Sequence, residues 1–305
     1  MYAVVHHPDY VAPGAPGSTY QWNKNGRVRQ ILSECGDAIE WHMPDPMPRA
    51  WLEAAHCPDY VAQVLSAQVP REKERRIGFA VTRLVSRRAQ AVPGGTYLAA
   101  RIALEQGFAA NSAGGSHHAL YDTGAGYCVF NDLAVAALRL TAEGVGPLLI
   151  VDCDVHQGDG TAALTAGHPA IATYSIHAEK NFPVRKCRST MDVPLADGVE
   201  DAVYLETLRS TLEPLLDTVR PALILYQAGV DPFHGDRLGR LALTQDGLVA
   251  RDELVAGLAR SRHVPLASTL GGGYGADALE VAQRHALSVR TLGAAFAKSR
   301  LYLPG

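Results

Sequence analysis

From about residue 100 onward, short runs of β-forming apolar residues alternate with longer amphipathic stretches, and no other feature constrains the fold as much. The apolar runs cover 107–112, 147–151, 170–176, 222–226 and 264–270, and the helical stretches cover 131–142, 202–219, 247–259 and 276–285. Continuous Val, Ile and Leu runs separated by helices are typical of a parallel sheet with helices on both faces. The sequence therefore predicts an α/β fold, with Asn131 or Asp132 capping the first of these helices.

Each apolar run is followed by polar, titratable or glycine-rich residues. In chain order they are Gly114-Gly115-Ser116-His117-His118, Asp152-Cys153-Asp154-Val155-His156, His177, Asp231 and Gly271-Gly272-Gly273-Tyr274. In parallel α/β sheets, ligands bind just beyond the carboxyl ends of the strands. Because all five runs end in this way, the sequence predicts one shared site.

Asp154 and His156 are spaced i and i+2, so both face the same side of an extended segment. Asp231, which follows another strand, can supply a third ligand. An isolated pair of this kind is usually a helix cap or an ion pair, but its place at a strand end favours a metal. Two carboxylates and one imidazole with open positions describe a catalytic Lewis-acid centre, which suits Zn²⁺ and also Fe²⁺ or Mn²⁺.

Three further side chains can supply acid–base chemistry and charge stabilisation. His117 and His118 titrate near neutral pH and can divide the roles of general base and general acid. Each needs a carboxylate to orient it, and Asp152 and Asp159 flank the metal motif. Tyr274 follows three glycines, and its hydroxyl can donate a hydrogen bond to an oxyanion opposite the metal.

The composition is that of an ordered globular protein. Of 305 residues, 47% are hydrophobic and 19% are charged, and the formal net charge is -3. With this small negative net charge the protein has no overall positive electrostatic potential, so we expect no nucleic-acid partner. Proline- and glycine-rich stretches predict loops at 13–17 and 43–48. A basic run over 71–88 is interpreted as a solvated helix face or rim, in preference to an anion-binding patch.

The five cysteines are scattered and never spaced as CxxC, which argues against a disulfide scaffold or a structural zinc site. We expect Cys128 to line the pocket wall and Cys153 to pack in the core. No window approaches the 18 apolar residues of a membrane span, and the N-terminus lacks a basic segment followed by an apolar one. These features predict a soluble, cytoplasmic chain.

Together these residues resemble the histone deacetylase family, in particular its class IV branch and bacterial relatives. The likeness covers nearly the whole chain and is strongest in GGSHHA, GYCVFNDLAVAA, DCDVHQGDGT, AGVDPFHGDRLGRLALT and LGGGY. It implies one catalytic domain over 1–305 with the three-layer arginase/deacetylase fold, whose central, mainly parallel sheet of about eight strands is flanked by helices. It also implies hydrolysis of acyl-amide bonds, typically those of Nε-acyl-lysine.

The resemblance implies a role for each site residue. The zinc ligands are Asp154, His156 and Asp231, and the catalytic residues are His117, His118, Tyr274, Asp152 and Asp159. The substrate-binding residues are Gly126, Tyr127, Phe182 and Gly272. A K⁺ site uses Asp152, backbone atoms of Asp154, His156 and Ile176, and the Ser175 hydroxyl. K⁺ beside His117 is expected to lower the pKa of that imidazole.

The sequence also departs from the family pattern at informative positions. Gln157 replaces a second histidine, which favours class IV, and Tyr127 replaces the commoner phenylalanine. No aspartate near 77–79 matches the one that grips the substrate backbone in class I enzymes, and Arg27 and Arg29 are the candidates for an acetate-exit arginine.

Three alternatives to a lysine deacylase stay open. The first is an acylpolyamine-type hydrolase, although no long insertion of the kind that closes over polyamines is present. The second is an arginase-like binuclear manganese enzyme, which needs an aspartate where Gly158 stands. The third is a catalytically silent acyl-lysine-binding module. Acyl-chain length, the physiological substrate and the oligomeric state do not follow from the sequence.

Overall fold

A single sheet of eight parallel strands forms the centre of the molecule in the computed structural model, which describes residues 1–11 and 20–297. The strands are β1 (Tyr2–Val5), β2 (Ile39–His42), β3 (Phe108–Asn111), β4 (Leu148–Asp152), β5 (Ile171–Ala178), β6 (Met191–Leu195), β7 (Leu223–Gln227) and β8 (Leu266–Thr269). Their order across the sheet is β2-β1-β3-β8-β7-β4-β5-β6. The expected mainly parallel sheet of about eight strands is confirmed. The loop predicted at 13–17 lies outside the described residues.

Helices cover both faces of this sheet. They are α1 (Lys24–Glu34), α2 (Arg49–Ala55), α3 (Pro58–Ser66), α4 (Arg71–Ile77), α5 (Arg83–Gln106), α6 (Asp132–Ala142), α7 (Asp159–Leu164), α8 (Asp201–Val219), α9 (Gln245–Ser261) and α10 (Ala278–Ala297). Helices α1, α8, α9 and α10 pack on one face, and α5 and α6 pack on the other. Side chains of β4 alternate between these two cores, as Leu149 belongs to the first and Leu148 to the second.

The sequence located the five strands β3, β4, β5, β7 and β8 to within about two residues but missed the buried strand β1 and the two edge strands β2 and β6. β6 at one edge contains Pro194, and β2 at the other edge is only half-buried, so neither shows the continuous apolar run of a buried strand. The predicted helix 276–285 is too short, because its buried face continues through Val289 and Leu292 to the end of α10.

Several local predictions agree with the structure. Asn131 caps α6 by accepting a hydrogen bond from the Ala134 N–H, and 43–48 is a loop. Cys153 is fully buried in the core. Among the described helices, none combines the length and the apolar character needed to cross a bilayer.

Candidate active site

Four neighbouring strands bring the candidate residues to one edge of the sheet. β3, β8, β7 and β4 lie side by side and run in the same direction. His117 follows β3, Tyr274 follows β8, Asp231 follows β7 and Asp154 follows β4. Because parallel strands end at the same edge, residues far apart in the chain meet there, as the sequence predicted.

Asp154, His156 and Asp231 form a compact, buried group of metal-competent donors. One ligand atom from each residue lies within 4.8 Å of the others. His156 Nδ1 is 2.9 Å from Asp154 Oδ1 and 3.3 Å from Asp231 Oδ2. The structure thus brings together the three residues that the sequence predicted as metal ligands.

Hydrogen bonds from the chain orient these carboxylates and leave one oxygen without a donor. Asp154 Oδ2 accepts from the Gln227 side-chain amide at 2.7 Å and from the Gly272 N–H at 2.8 Å. Asp231 Oδ1 accepts from the Val155 N–H at 2.9 Å. Asp231 Oδ2 is buried and accepts no well-aligned hydrogen bond from the described residues, although His156 Nδ1 lies 3.3 Å away. Leaving a buried carboxylate oxygen unpaired is costly, and the donor set is one that a divalent cation binds.

The charges of this group also fit a bound cation. Burial raises the pKa of Asp231 to about 7, and the neighbouring Asp154 adds to the rise. Burial opposes ionisation of Asp154 too, but His117 and His156 hold its pKa well below the usual range. Burial lowers the pKa of His156, yet its contacts with the two aspartates raise it to about 10. The site therefore stabilises positive charge at the point where the three donors meet.

Gly272 contacts both carboxylates closely. A Cβ at this position would collide with the carboxylate oxygens of Asp231 and Asp154. Its N–H also donates to Asp154. The sequence predicted Gly272 as a substrate-binding residue, and in the structure it supports the metal ligands as well as lining a cavity.

His117 and His118 lie beside the triad with their ring centroids 4.0 Å apart. His117 Nδ1 is 2.7 Å from Asp152 Oδ2, and His118 Nδ1 is 2.7 Å from Asp159 Oδ1. His117 Nε2 lies 3.7 Å from Asp154 Oδ1. The two histidines thus have the carboxylate partners that the resemblance implied. Because each carboxylate engages Nδ1, the Nε2 atoms stay available for proton transfer.

The two imidazoles differ in the charges that surround them. Burial lowers the pKa of His117, but Asp152 and Asp154 outweigh it and raise the pKa to about 9. Burial and the charge of His117 lower the pKa of His118 to about 3, against the opposite effect of Asp159. A cation bound by the triad would lower the pKa of both histidines. The surrounding residues of the chain thus favour the neutral form of His118 and the charged form of His117.

Tyr274 stands between the triad and the surface. Its N–H donates to Asp236 Oδ2 at 2.6 Å, and its ring centroid lies 5.6 Å from that of Tyr127 and 6.5 Å from that of His156. Burial raises the pKa of the Tyr274 phenol well above its usual value. The hydroxyl therefore stays protonated and can donate a hydrogen bond.

An outer cavity of about 340 Å³ leads from the surface to the triad. It is lined by Arg76, Ile77, Gly78, His118, Gly126, Tyr127, His156, Asn181, Phe182, Leu238 and Tyr274. The Phe182 ring meets the His118 ring edge-on with centroids 4.7 Å apart. Gly126 and Tyr127 both have positive φ, and their N–H groups donate to the carbonyls of Arg76 and Ile77. Three of the four predicted substrate-binding residues, Gly126, Tyr127 and Phe182, therefore line this cavity.

An inner cavity of about 40 Å³ adjoins Asp154 of the triad and shares part of its wall with the outer cavity. It is lined by Tyr20, Lys24, Asn25, Arg88, Gly114, Gly115, Ser116, His117, His118, Gly126, Tyr127, Cys128, Asp154, Leu270, Gly271, Gly272 and Tyr274. Cys128 thus lies at the pocket wall as expected, and burial raises the pKa of its thiol.

The sequence did not predict the two cationic side chains that line the inner cavity, Lys24 and Arg88. Lys24 is buried and donates to the Gly271 carbonyl at 2.8 Å, while Arg88 donates to Tyr10 and to the Tyr20 hydroxyl. The interpretation of the basic run as a solvated helix face or rim is therefore wrong for Arg88. The candidates Arg27 and Arg29 do not line the cavity, and Arg29 stacks on Trp41 instead.

Two further polar residues support the site loops in roles that the sequence did not assign to them. Asp132 is fully buried and accepts hydrogen bonds from the N–H groups of Gly115 and Ser116, just before the histidine pair. The Gln157 amide donates to the Cys187 carbonyl and to Asp192, which ties the loop that carries Phe182 to the metal motif.

The predicted K⁺ residues lie next to one another. Asp152 and Ser175 are direct partners across β4 and β5, and Ile176 follows Ser175 in β5. The Ser175 hydroxyl is 3.0 Å from His177 Nδ1. These contacts bring the residues together but do not test the identity of an ion, so the K⁺ site stays a prediction.

Comparison with known proteins identifies relatives along most of the chain. A family model described as the histone deacetylase domain matches residues 22–290. Histone deacetylase 2 of Arabidopsis thaliana is 32% identical over 83% of this chain and 68% of its own length. An uncharacterised protein of Picosynechococcus is 42% identical over 94% of this chain and 96% of its own length.

A solved structure shares the fold. The crystal structure of the HDA15 HD domain superposes with a TM-score of 0.80, covering 98% of this chain and 92% of that one, at 20% sequence identity. At that identity the likeness supports the eight-stranded fold and carries no statement about the reaction.

Proposed function

The chain belongs to the histone deacetylase family, and on that basis we propose that it is a metal-dependent deacylase that hydrolyses the amide bond of Nε-acyl-lysine. The observation that carries the proposal is the convergence of the donor triad, the histidine pair and Tyr274 between two cavities. Hydrolysis of the amide by water yields a carboxylate and the free amine. A single catalytic unit over 1–305 and the class IV assignment are part of the same proposal.

Asp154, His156 and Asp231 would hold the metal, and Zn²⁺ suits this set best, with Fe²⁺ as the alternative. When bound, the metal supplies a Lewis acid that polarises the amide carbonyl and makes water more acidic. Gln227, Gly272 and Val155 orient the carboxylates through the hydrogen bonds described above. Gly158 stands where an arginase-like site needs a second bridging aspartate, so one metal ion per chain is expected.

The histidine pair would move the protons. His118 Nε2 accepts a proton from the attacking water and later delivers it to the leaving amine, while Asp159 holds the opposite ring nitrogen. His117, paired with Asp152, stabilises negative charge that develops near the triad. This division is supported by the opposite directions in which their surroundings shift the two pKa values.

The hydroxyl of Tyr274 would donate a hydrogen bond to the carbonyl oxygen as it becomes negative. The Tyr274 ring lies beside His156 and lines both cavities, so the hydroxyl can reach an atom bound between them. The K⁺ site, if occupied, adds a charge beside Asp152 that lowers the pKa of His117.

The two cavities support an assignment of the two halves of the substrate. The outer cavity has Tyr127 and Phe182 on its walls, which suit the alkyl stem of lysine. The inner cavity is small and contains Lys24 and Arg88, which suit a short acyl group and its carboxylate product. Arg76 at the outer cavity disfavours a polyamine, whose further positive charges it would repel.

A panel of lysine peptides that carry acetyl to myristoyl groups tests the proposal. We expect chelator-sensitive hydrolysis that zinc restores, with kcat/KM for acetyl about 100-fold above that for myristoyl, since the inner cavity has no room for a fatty chain. Binding of the acetyl peptide without hydrolysis would instead support a silent binding module. Preference for acetylated polyamines over the peptides would support the acylpolyamine-type hydrolase.

A further inference from the structure

Arg251 is a fully buried arginine that no step of the proposed reaction uses. It lies on α9, on the core side of the loops that leave β4 and β7, and its exposed fraction is 0%. Nη1 donates to the Gly229 carbonyl at 2.5 Å and lies 3.4 Å from the Cys153 carbonyl. Cys153 directly precedes Asp154, and Gly229 stands two residues before Asp231.

These two carbonyls lie where the ladder between β4 and β7 ends. The last backbone hydrogen bond between the two segments runs from the Cys153 N–H to the Gln227 carbonyl at 3.1 Å. Beyond it, no backbone N–H of the described residues donates to the carbonyl of Cys153 or of Gly229. Arg251 therefore adds a cross-link between the two loops beyond the end of this ladder, alongside the hydrogen bonds from Val155 to Asp231 and from Gln227 to Asp154.

A second set of contacts fixes the guanidinium itself. Nε donates to Asp252 Oδ1 at 3.0 Å, and Nη2 lies 2.9 Å from the same oxygen. The Tyr226 hydroxyl of β7 also donates to that oxygen at 2.7 Å. The planar fork can reach Asp252 and a carbonyl at once, which a lysine cannot do.

A buried ion pair is weak evidence for stability, because well-packed apolar residues of similar volume often stabilise a core as well or better. Here the guanidinium contacts the backbone that carries two of the three metal donors. We propose that Arg251 is a positioning residue for the metal centre, which holds the β4 and β7 loops at the spacing that the donors of Asp154 and Asp231 require. This inference rests on the metal site of the proposed function but not on its reaction.

The experiment is a zinc titration against a competing chelator, with no substrate present. Arg251→Met combined with Asp252→Asn removes both buried charges together, so neither charge is left unpaired. We expect the zinc Kd of this variant to rise about 10- to 100-fold. Arg251→Lys keeps the charge without the fork, and we expect a rise of several-fold; it serves as the second variant if the double substitution does not fold.

Val255→Ala is the matched control, since it truncates a buried side chain of the same helix that does not belong to this hydrogen-bond network. It should lower Tm in the presence and absence of zinc alike and leave the zinc Kd within about twofold of the parent value. A parent-like Kd for the Arg251 variants, or an equal loss in Val255→Ala, would overturn the positioning role. A parent chain that binds no metal would overturn this inference together with the proposed metal site.

Discussion

The outer and inner cavities share His118, Gly126, Tyr127 and Tyr274 but otherwise differ in size and chemistry. The outer cavity, about 340 Å³, opens past the partly exposed side chains of Phe182 and Leu238. The inner cavity, about 40 Å³, has two cations and polar backbone on its walls.

Under the proposed function, this difference would let the site distinguish the acyl side of an amide bond from the amine side. An apolar wall gains from contact with an alkyl chain, whereas Lys24 and Arg88 gain from contact with an anion. The donor triad lies between the cavities, because Asp154 lines the inner one and His156 lines the outer one. The reacting carbonyl is therefore expected where the two environments meet.

Tyr274 lines both cavities, so removing its hydroxyl tests whether the reaction takes place where they meet. Replacing it with phenylalanine keeps the ring and removes the hydroxyl. We expect kcat for an acetyl-lysine peptide to fall about 10²- to 10³-fold, since a donor to the developing oxyanion is lost. The zinc Kd should stay at the parent value, because Tyr274 is not a ligand. Parent-level turnover would remove this residue from the mechanism and leave the triad and the histidines.

His56 supports the loop that forms the wall shared by the two cavities, so its substitution tests the stability of that wall. It is fully buried, its Nδ1 lies 2.8 Å from the Leu120 carbonyl, and Nε2 accepts from the Asn131 N–H at 3.0 Å. It thereby links the two ends of the loop that contains Gly126 and Tyr127. Because Nε2 accepts a hydrogen bond from a backbone donor, the neutral imidazole is the form that fits.

Burial lowers the pKa of His56 to about 4 from 6.5. The unfolded chain thus binds a proton that the folded chain does not, and stability is lost as pH falls from about 6.5 to 4, by up to about 3 kcal/mol. His56→Gln, which does not titrate, should make thermal unfolding less sensitive to pH in this window. Substitution of the exposed His263 by Gln is the control, and an equal change in both variants would contradict the assignment.

Substitution of Lys24 tests whether positive charge in the inner cavity selects the acyl group. It has the smallest expected effect of the three. Burial lowers the pKa of Lys24 to about 8, so the ammonium predominates at neutral pH. Lys24→Met should shift the ratio of kcat/KM values for hexanoyl and acetyl peptides by about 10-fold towards hexanoyl, because an apolar side chain replaces a cation. Arg27→Met, on the same helix but outside both cavities, should leave the ratio unchanged. If both variants gave the parent ratio, charge in the inner cavity would not select the acyl group.

The place of the candidate site residues could be predicted from the sequence because each follows an apolar run within a few residues. Asp154 and His156 are close in sequence to β4, and Tyr274 is close to β8. Strand ends in a parallel sheet meet at one edge, so local patterns were sufficient to collect these residues at one site. The resemblance to a known family then implied their roles.

Residues that approach the site from the helices could not be predicted in this way. Lys24 contacts the carbonyl of Gly271, 247 positions further along the chain, and Arg251 contacts that of Cys153, 98 positions earlier. Neither lies in a motif, and a buried cation on a helix has the same sequence pattern as a solvated one.

The sequence by itself determined the parallel architecture and the candidate residues that meet at the ends of its strands, because both depend on short-range patterns of apolar and polar residues. Only the tertiary structure decided which helices cover that site, which cations face the inner cavity and which carbonyls Arg251 joins. Those outcomes depend on the packing of helices against the sheet, which places side chains from distant parts of the chain within hydrogen-bond distance.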